Sequence, residues 1–448
     1  MGILLSLIFV LELIFFILAM HYMTKFFSVI SIPGLAFLFL FINHGYYIPV
    51  ILLKGQIFGP LDLNDDLKLK LFLSLSLMYV FFITGIALVK FLFRFRIGEI
   101  VAYAKKPILR KKNIYPALFL FLLLTILFFY SVSQEMNLLE RFATYFSNFG
   151  QSETIKQLRA NSGIALSQSG IVGALWGWSL YVFFPLITLT ILGVFFTEKK
   201  LIFGILGFLA AAMTSAALFS GLHRANILVF WIMIVFSVWI FKGELIYKKT
   251  KLLMLSSIII LCGALLYLFT YNVSLTEAVY FVFNRFTEVT NFAWILHLKY
   301  FPDYYDFLWG RDIGLLSSVM GWDYVSSPQL IANTFGAKDA NFNALFISGL
   351  WVNFGYFGII IGSFLVGAYL QWLQIWIIRS PRTLTRMALF GYLSIEVFYL
   401  ANISVFPVLF SFGLATAPLF ILVIEMSGSF FPMTFARKKQ NINQKIAL

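Results

Sequence analysis

The segment LIFGILGFLAAAMTSAALFSGLHRANILVFWIMIVFSVWIF, residues 201–241, contains two apolar runs separated by one short polar turn. The runs cover residues 201–220 and 225–241. Each is close to the roughly 20 residues that cross a lipid core about 30 Å thick, because a helix rises about 1.5 Å per residue. The pattern predicts two membrane-spanning helices joined at one membrane surface.

The rest of the chain repeats this pattern. Of its 448 residues, 61% are hydrophobic and 12% are charged, whereas soluble domains carry about 25% charged residues. The apolar runs are continuous rather than alternating, which favours helices over a β-barrel. We therefore expect an all-α polytopic membrane bundle that forms a single integral-membrane domain over residues 1–448. About eleven transmembrane helices are predicted, near residues 2–21, 27–49, 71–93, 114–133, 171–197, 201–220, 225–241, 252–270, 357–378, 388–405 and 407–428.

The net charge of +14 is explained by the membrane rather than by nucleic acid. About two thirds of the Lys and Arg residues fall on one side if residues 90–112 face the cytoplasm, as the positive-inside rule requires. Alternation then places Lys25, Lys199–Lys200 and the connections at 242–251 and 379–386 on the same side. This arrangement predicts an outside N-terminus and an inside C-terminus. Residues 2–21 lack a basic leader and a clear cleavage site, so we expect a retained helix rather than a removed signal.

The longest polar stretch covers residues 271–343, and we expect it to form one large, partly helical extracytoplasmic loop that carries the active-site residues. It holds seven of the nineteen acidic residues, which are Glu277, Glu288, Asp303, Asp306, Asp312, Asp323 and Asp339. Chemistry in water has its best chance in this segment.

Arg224 is the sharpest single candidate for a binding residue. It follows His223 between two apolar runs, so it should lie at the N-terminus of a helix, where free amides and the helix dipole favour an anion. A guanidinium also binds two phosphate oxygens at once. Arg224 and His223 are therefore candidates for binding a phosphate group. Snorkelling of the arginine to lipid headgroups explains the position equally well.

Three further candidates lie on one predicted helix of the long segment. Arg285 and Glu288 are spaced i, i+3, which is typical of an ordinary helix salt bridge; alternatively, Arg285 binds phosphate and Glu288 orients it or acts as a base. His297 is a candidate general base near neutral pH. A histidine packed inside a helix bundle is an equally good explanation of that position.

The sequence FPDYYDFLWGRDIG, residues 301–314, combines aromatic and charged residues. Tyr304, Tyr305 and Trp309 are candidates for stacking on sugar rings, although membrane-interface aromatic belts explain them about as well. Arg311 is a further candidate for phosphate binding, and Asp312 is a candidate catalytic carboxylate.

Other acidic residues raise alternatives. The acidic turn at residues 62–66 is best explained as solvated, and no cluster has the spacing of a metal site, so we expect neither a metal nor another cofactor. Glu12, Glu396 and Glu425 fall within apolar spans, where carboxylates are costly and often functional. A proton-coupled transporter therefore remains an alternative.

Two motifs resemble those of one known family. SGLHRANIL, residues 220–228, is similar to the small-residue–Arg–small motif of the Wzy-type polymerases, which join oligosaccharide repeat units in O-antigen and related polysaccharides. ALFISGLWVNFGYFGIIIGSFLVG, residues 344–367, resembles the Gly-rich entry to the helix that follows the family's long outer loop. The resemblance covers roughly residues 205–378. His223 departs from the motif, because a small hydroxyl residue is more usual there.

The resemblance implies an inverting, metal-independent glycosyl transfer at the outer face of the bacterial inner membrane. Donor and acceptor would both be glycans linked to undecaprenyl pyrophosphate, and a chain-length regulator is a possible protein partner. Arg224 matches the motif arginine, whereas Arg285 and Arg311 are proposed from their position alone. The alternatives are an O-antigen ligase, another polyprenyl-dependent glycosyltransferase, or a flippase for lipid-linked glycans.

Overall fold

The computed structural model describes residues 1–45, 47–55, 62–109, 119, 122–127, 130, 171–219, 224–246, 273–336 and 342–430. Most of these residues are helical, and the described part of the chain contains no β-strand. Two isolated β-bridges, Val29–Ile246 and Leu109–Thr383, link connections between helices. The predicted all-α class is therefore confirmed.

The helices of the N-terminal half are α1 (Gly2–Thr24), α2 (Ile32–His44), α3 (Tyr47–Lys54), α4 (Asp65–Leu92), α5 (Gly98–Lys105) and α6 (Ile171–Trp178). A π-helical turn, Ser179–Phe183, leads from α6 into α7 (Phe184–Glu198). The helices that follow are α8 (Leu201–Phe219), α9 (Arg224–Phe241), α10 (Leu275–Tyr300), α11 (Gly314–Met320) and α12 (Ser327–Thr334). The last helices are α13 (Ile347–Arg379), α14 (Leu384–Glu396), α15 (Val405–Phe410) and α16 (Thr416–Phe430), with a 3₁₀ turn, Val397–Ala401, after α14.

Seven of the described helical segments are long and apolar enough to cross a membrane, namely Gly2–Thr24, Ile32–Lys54, Asp65–Leu92, Leu175–Glu198, Leu201–Phe219, Ile347–Arg379 and Leu384–Ala401. All seven correspond to predicted spans. The expected count of about eleven is not reached among the described residues. Residues 252–270 and most of 114–133 lie outside them, and Ala225–Phe241 is a shorter apolar helix. The predicted span over 407–428 is broken between α15 and α16.

One end of the bundle, the basic end, is formed by residues 25–30, 94–109, 242–246 and 379–386. The Ile30 amide donates to the Leu245 carbonyl over 2.9 Å. Arg379 pairs with Glu99 at 2.9 Å. These contacts bring together segments that the cation count predicts on one membrane side.

Buried Arg382 stabilises the basic end by binding the carboxyl ends of two helices. Its guanidinium donates to the carbonyls of Ala104 and Lys106 at 2.7 and 2.9 Å and to that of Ile240 at 3.1 Å. The last carbonyls of a helix have no partner within it, and the helix dipole favours a cation there. Arg382 therefore fixes α5 and α9 to the connection that precedes α14.

The opposite end, the loop end, contains residues 62–70, 300–312 and 398–404. Lys70 of α4 pairs with Asp66 at 3.0 Å and with Asp303 at 3.1 Å. The acidic turn at residues 62–66, where α4 begins, therefore lies beside the long polar segment. Two of its carboxylates are paired, because Asp65 also lies 3.7 Å from Lys68. In the same region the Phe346 amide donates to the Leu400 carbonyl.

Helix α10 contains the predicted helix that carries Arg285, Glu288 and His297, and it is 26 residues long. A capping box starts it: the Ser274 hydroxyl accepts from the Glu277 amide, and the Glu277 carboxylate accepts from the Ser274 amide. These two reciprocal hydrogen bonds satisfy backbone amides at the start of the helix, which have no partner within it. The second half of α10 buries Trp294 and Leu298 completely, so this half of the helix is part of the core.

Candidate functional site

Residues 220–223 connect two apolar helices in the sequence, and α9 begins at Arg224. The predicted helix N-terminus at this arginine is therefore present in the backbone. Gly221, Leu222 and His223 lie outside the described residues, as does the side chain of Arg224. The first amides of α9 lack partners within the helix, which makes this turn suited to an anion.

The first turn of α9 lies at the loop end. Asn226 donates to the Tyr181 hydroxyl at 3.2 Å and accepts from the Tyr399 hydroxyl at 2.9 Å. Tyr399 belongs to the 3₁₀ turn that leads to residues 402–404. The Asn402 side chain in turn accepts from Thr290 of α10 at 3.3 Å. A chain of contacts therefore connects the arginine turn to the long polar segment.

Asn226, Tyr181 and Tyr399 were not among the residues that the sequence singled out. Asn226 carried a usable signal, because it is a polar residue two positions after the arginine in an apolar helix. The two tyrosines lie more than 40 and more than 170 positions away from Asn226 in the chain. Only the fold brings them together.

Arg285 and Glu288 lie on the more exposed half of α10. Arg285 is exposed, and no ion pair joins it to a carboxylate among the described residues. Glu288 instead accepts a hydrogen bond from Asn284, and burial raises the pKa of its carboxyl. The i, i+3 spacing therefore does not form the salt bridge that it is typical of.

His297 is fully buried in the second half of α10. Its Nδ1 donates to the Ala293 carbonyl at 2.7 Å, one helical turn earlier. Burial lowers the pKa of the imidazole to about 4, so the ring is neutral at pH 7. The geometry favours the packed histidine over the general base, and the catalytic role stays a prediction.

The turn after α10 presents aromatic side chains to solvent. Tyr304 and Trp309 are 67% and 66% exposed, whereas the Tyr305 hydroxyl hydrogen-bonds Thr334 at 2.6 Å. Trp309 has a φ of 51°, which is uncommon for a bulky residue and marks local strain. The next amide, that of Gly310, donates to buried Asn353 at 2.7 Å. This bond to the core holds the indole outward.

Asp312 is held in place by two hydrogen bonds. Its two oxygens accept from the Ser327 amide and hydroxyl at 2.9 and 3.0 Å, at the start of α12. Burial raises the pKa of Asp312 to about 6, although the two hydrogen bonds from Ser327 oppose the shift. Burial is therefore the larger effect, and the carboxyl titrates close to neutral pH. Neighbouring Arg311 is exposed.

Trp322 and Tyr324 are two further exposed aromatic residues near Asp312. They are 38% and 58% exposed. Partial burial raises the pKa of the Tyr324 phenol, and the nearby Asp312 carboxylate raises it further. Neither residue was predicted as a site residue, although GWDY at 321–324 combines aromatic and acidic residues as the stretch at 304–309 does. We call Tyr304, Trp309, Trp322 and Tyr324 the aromatic surface.

The predicted site residues form two separate groups, one at the start of α9 and one in the segment from Arg285 to Asp312. The described contacts do not join Arg285, Arg311 or His297 to each other or to the turn at Arg224. Among the described residues, no group of three or more His, Cys, Asp or Glu side chains is arranged to hold a metal ion. Comparison of the chain with protein-family models, with curated proteins and with solved structures finds no match.

Proposed function

We propose that this protein polymerises oligosaccharide repeat units carried on undecaprenyl pyrophosphate, at the outer face of the bacterial inner membrane. The observation that carries the proposal is the placement of the anion-suited turn at Arg224 and the aromatic and acidic segment at one end of the bundle. The basic end lies opposite. A donor with a pyrophosphate, a lipid tail and a sugar needs an anion site, a lipid-facing bundle and an aromatic surface close together.

The transfer has a simple balance of bonds. The acceptor hydroxyl oxygen bonds to the anomeric carbon of the donor, and the bond from that carbon to the pyrophosphate oxygen breaks. The electron pair leaves with the pyrophosphate, whose developing charge the amides and guanidinium at Arg224 stabilise. The proton of the acceptor hydroxyl goes to a carboxylate.

Asp312 is the carboxylate that we assign to this proton. A pKa of about 6 leaves it mostly ionised at pH 7, while keeping it basic enough to accept a proton. Its hydrogen bonds to Ser327 fix its position, and the aromatic surface beside it can stack on sugar rings. Glu288 has an oxygen without a described partner but lies on the exposed half of α10.

The transporter alternative depends on carboxylates within the spans, and two of these have structural partners. Glu425 accepts from Arg386 at 2.7 Å and from the hydroxyls of Thr383 and Thr385, both at 2.9 Å. Glu12 accepts from Ser76. A buried charge needs such partners, so neither residue requires a transport role.

The decisive experiment supplies purified protein in lipid nanodiscs with a lipid-linked repeat unit and separates the glycans on a gel. A polymerase gives a ladder of multiples, a ligase elongates only when lipid A–core is added, and a transporter forms no glycosidic bond. Arg224→Ala should lower the rate about 10²–10³-fold, as is typical when one preorganised electrostatic contact is lost.

Arg224→Lys distinguishes recognition of the pyrophosphate from snorkelling. A lysine reaches the membrane interface equally well but cannot bind two oxygens in the fork geometry. We expect it to recover little of the ladder when the variants are present at matched levels. A full ladder from the lysine variant rejects bidentate recognition, and a full ladder from the alanine variant removes Arg224 from the site.

A further inference from the structure

A small cavity with both polar and apolar lining lies beside the first turn of α9. Its polar lining comes from Tyr181, Asn226, Glu396 and Tyr399, and apolar side chains close the rest. The centre of a water molecule can occupy a volume of about 10 Å³ within this cavity. A cavity of this size holds about one water if two or more polar partners face it.

Two irregular turns and the start of one regular helix meet at this cavity. Tyr181 lies in the π-helical turn, Tyr399 lies in the 3₁₀ turn, and Asn226 lies in the first turn of α9. Single π turns inside α-helices are frequent at functional sites. Each irregularity aims a polar side chain into an otherwise apolar interior.

The hydrogen bonds around the cavity run in one direction. The Tyr399 hydroxyl donates to Asn226 Oδ1, and Asn226 Nδ2 donates to the Tyr181 oxygen. The Tyr181 O–H is then left as a donor, and no acceptor for it is found among the described residues. The chain of bonds therefore ends with a donor at the cavity.

Glu396 provides the complementary acceptor. It is 1% exposed, and its Oε1 has no hydrogen-bond partner in the described part of the chain. Its carboxyl lies beside the Tyr392 hydroxyl. Tyr181 and Tyr399 line the same cavity and are close enough to feel its charge. An unpaired polar oxygen in an apolar interior is costly, so a bridging group that donates to Oε1 stabilises it.

We propose that this cavity binds one water molecule, which accepts from the Tyr181 O–H and donates to Glu396 Oε1. Through that water and Asn226, Glu396 is a positioning residue for the first turn of α9. Arg224 is two residues before Asn226, so the network orders the amides that the anion uses. This role in anion binding rests on the proposed function, whereas the bridge itself does not.

The test measures the binding of inorganic pyrophosphate and the deuterium exchange of the amides at residues 225–229, with the full chain in nanodiscs. Glu396→Leu removes the acceptor, and we expect pyrophosphate to bind about tenfold more weakly, the size of one net hydrogen bond. Amide exchange in this turn should rise. Glu396→Gln keeps an acceptor oxygen and should remain within about twofold of wild type. Glu12→Leu is the matched control, because it removes a carboxyl from another span and should change neither readout.

Tyr181→Phe is the second variant, since it deletes only the bridging hydroxyl and keeps the ring. It should change both readouts in the same direction as Glu396→Leu, also if the leucine variant fails to fold. Unchanged exchange in these variants overturns the water bridge. If wild-type protein does not bind pyrophosphate but the exchange still responds to Glu396, the bridge stands and the proposed role of Arg224 fails.

Discussion

Asp312 combines burial, two hydrogen bonds from Ser327 and a pKa of about 6. A base must be deprotonated to accept a proton, so the rate of transfer should rise as the pH increases through about 6 and level off above it. Asp312→Asn removes the base and should lower the rate by about 10²–10⁴-fold, the usual contribution of general base catalysis. The residual rate should lose the step near pH 6. The measurement is a pH–rate profile of ladder formation.

Asp306 supplies the control for that experiment. It is an exposed carboxylate of the same turn, so Asp306→Asn changes the local charge by the same amount without touching Ser327. This variant should keep both the rate and the step near pH 6. A profile of Asp312→Asn that still shows the step would assign the titration to a different group.

At this scale the sequence could predict residue types and helix positions but not partners. Arg224 does begin a helix, because a glycine-containing turn between two apolar runs leaves few other arrangements. The Glu288 carboxyl, by contrast, is bound by Asn284 rather than Arg285. Spacing on a helix brings several side chains within reach, and burial and local hydrogen bonds decide among them.

Among whole elements, the predicted span over 407–428 shows where hydropathy misleads. Residues 411–415 break it, and Gly413 has a φ of 103°, which glycine adopts without steric cost. The released carbonyls find side-chain donors: the Trp178 indole donates to the Phe410 carbonyl at 2.8 Å, and the Tyr392 hydroxyl donates to that of Phe412. Non-helical backbone at membrane depth is tolerated where protein satisfies it in this way.

The contact of α4 with α13 depends on two glycines. A methyl group on Gly85 would overlap the Phe364 carbonyl, and one on Gly367 would overlap the Phe82 carbonyl. Small residues let membrane helices approach this closely. Gly367→Ala should therefore destabilise the protein by about 1–3 kcal/mol, as overpacking typically does. Thermal unfolding in detergent would show this as a lower Tm.

Gly98→Ala is the matched substitution for this prediction. Gly98 begins α5, and a methyl group there would meet open space. Alanine is favoured over glycine in a helix by about 0.5–1 kcal/mol, so this variant should keep or raise the Tm. A Tm of Gly367→Ala equal to that of Gly98→Ala would mean that the two helices do not pack through these glycines.

The whole molecule shows how far a charge count reaches. The connections that the positive-inside rule assigns to one side do meet at the basic end, through Arg382 and the pair of Arg379 with Glu99. The number of spans could not be predicted in the same way. Apolar runs report how hydrophobic a helix is, but they do not report where buried partners allow it to break.

The two ends of the bundle lead to a test of orientation in the cell. Asn333 is exposed on α12, in the segment that we predict to face outward, and Ala102 is exposed on α5 at the basic end.

Cys262 is the only native cysteine, so Cys262→Ser provides a background without thiols. On that background, Asn333→Cys should react with an impermeant thiol reagent on intact cells. Ala102→Cys should react only after permeabilisation, because the cation-rich end stays in the cytoplasm. Tyr103 would be a poor choice, since its side chain is fully buried. Labelling of both positions on intact cells would reject the two-sided arrangement, and the reverse pattern would place the turn at Arg224 in the cytoplasm, away from any outer lipid-linked glycan.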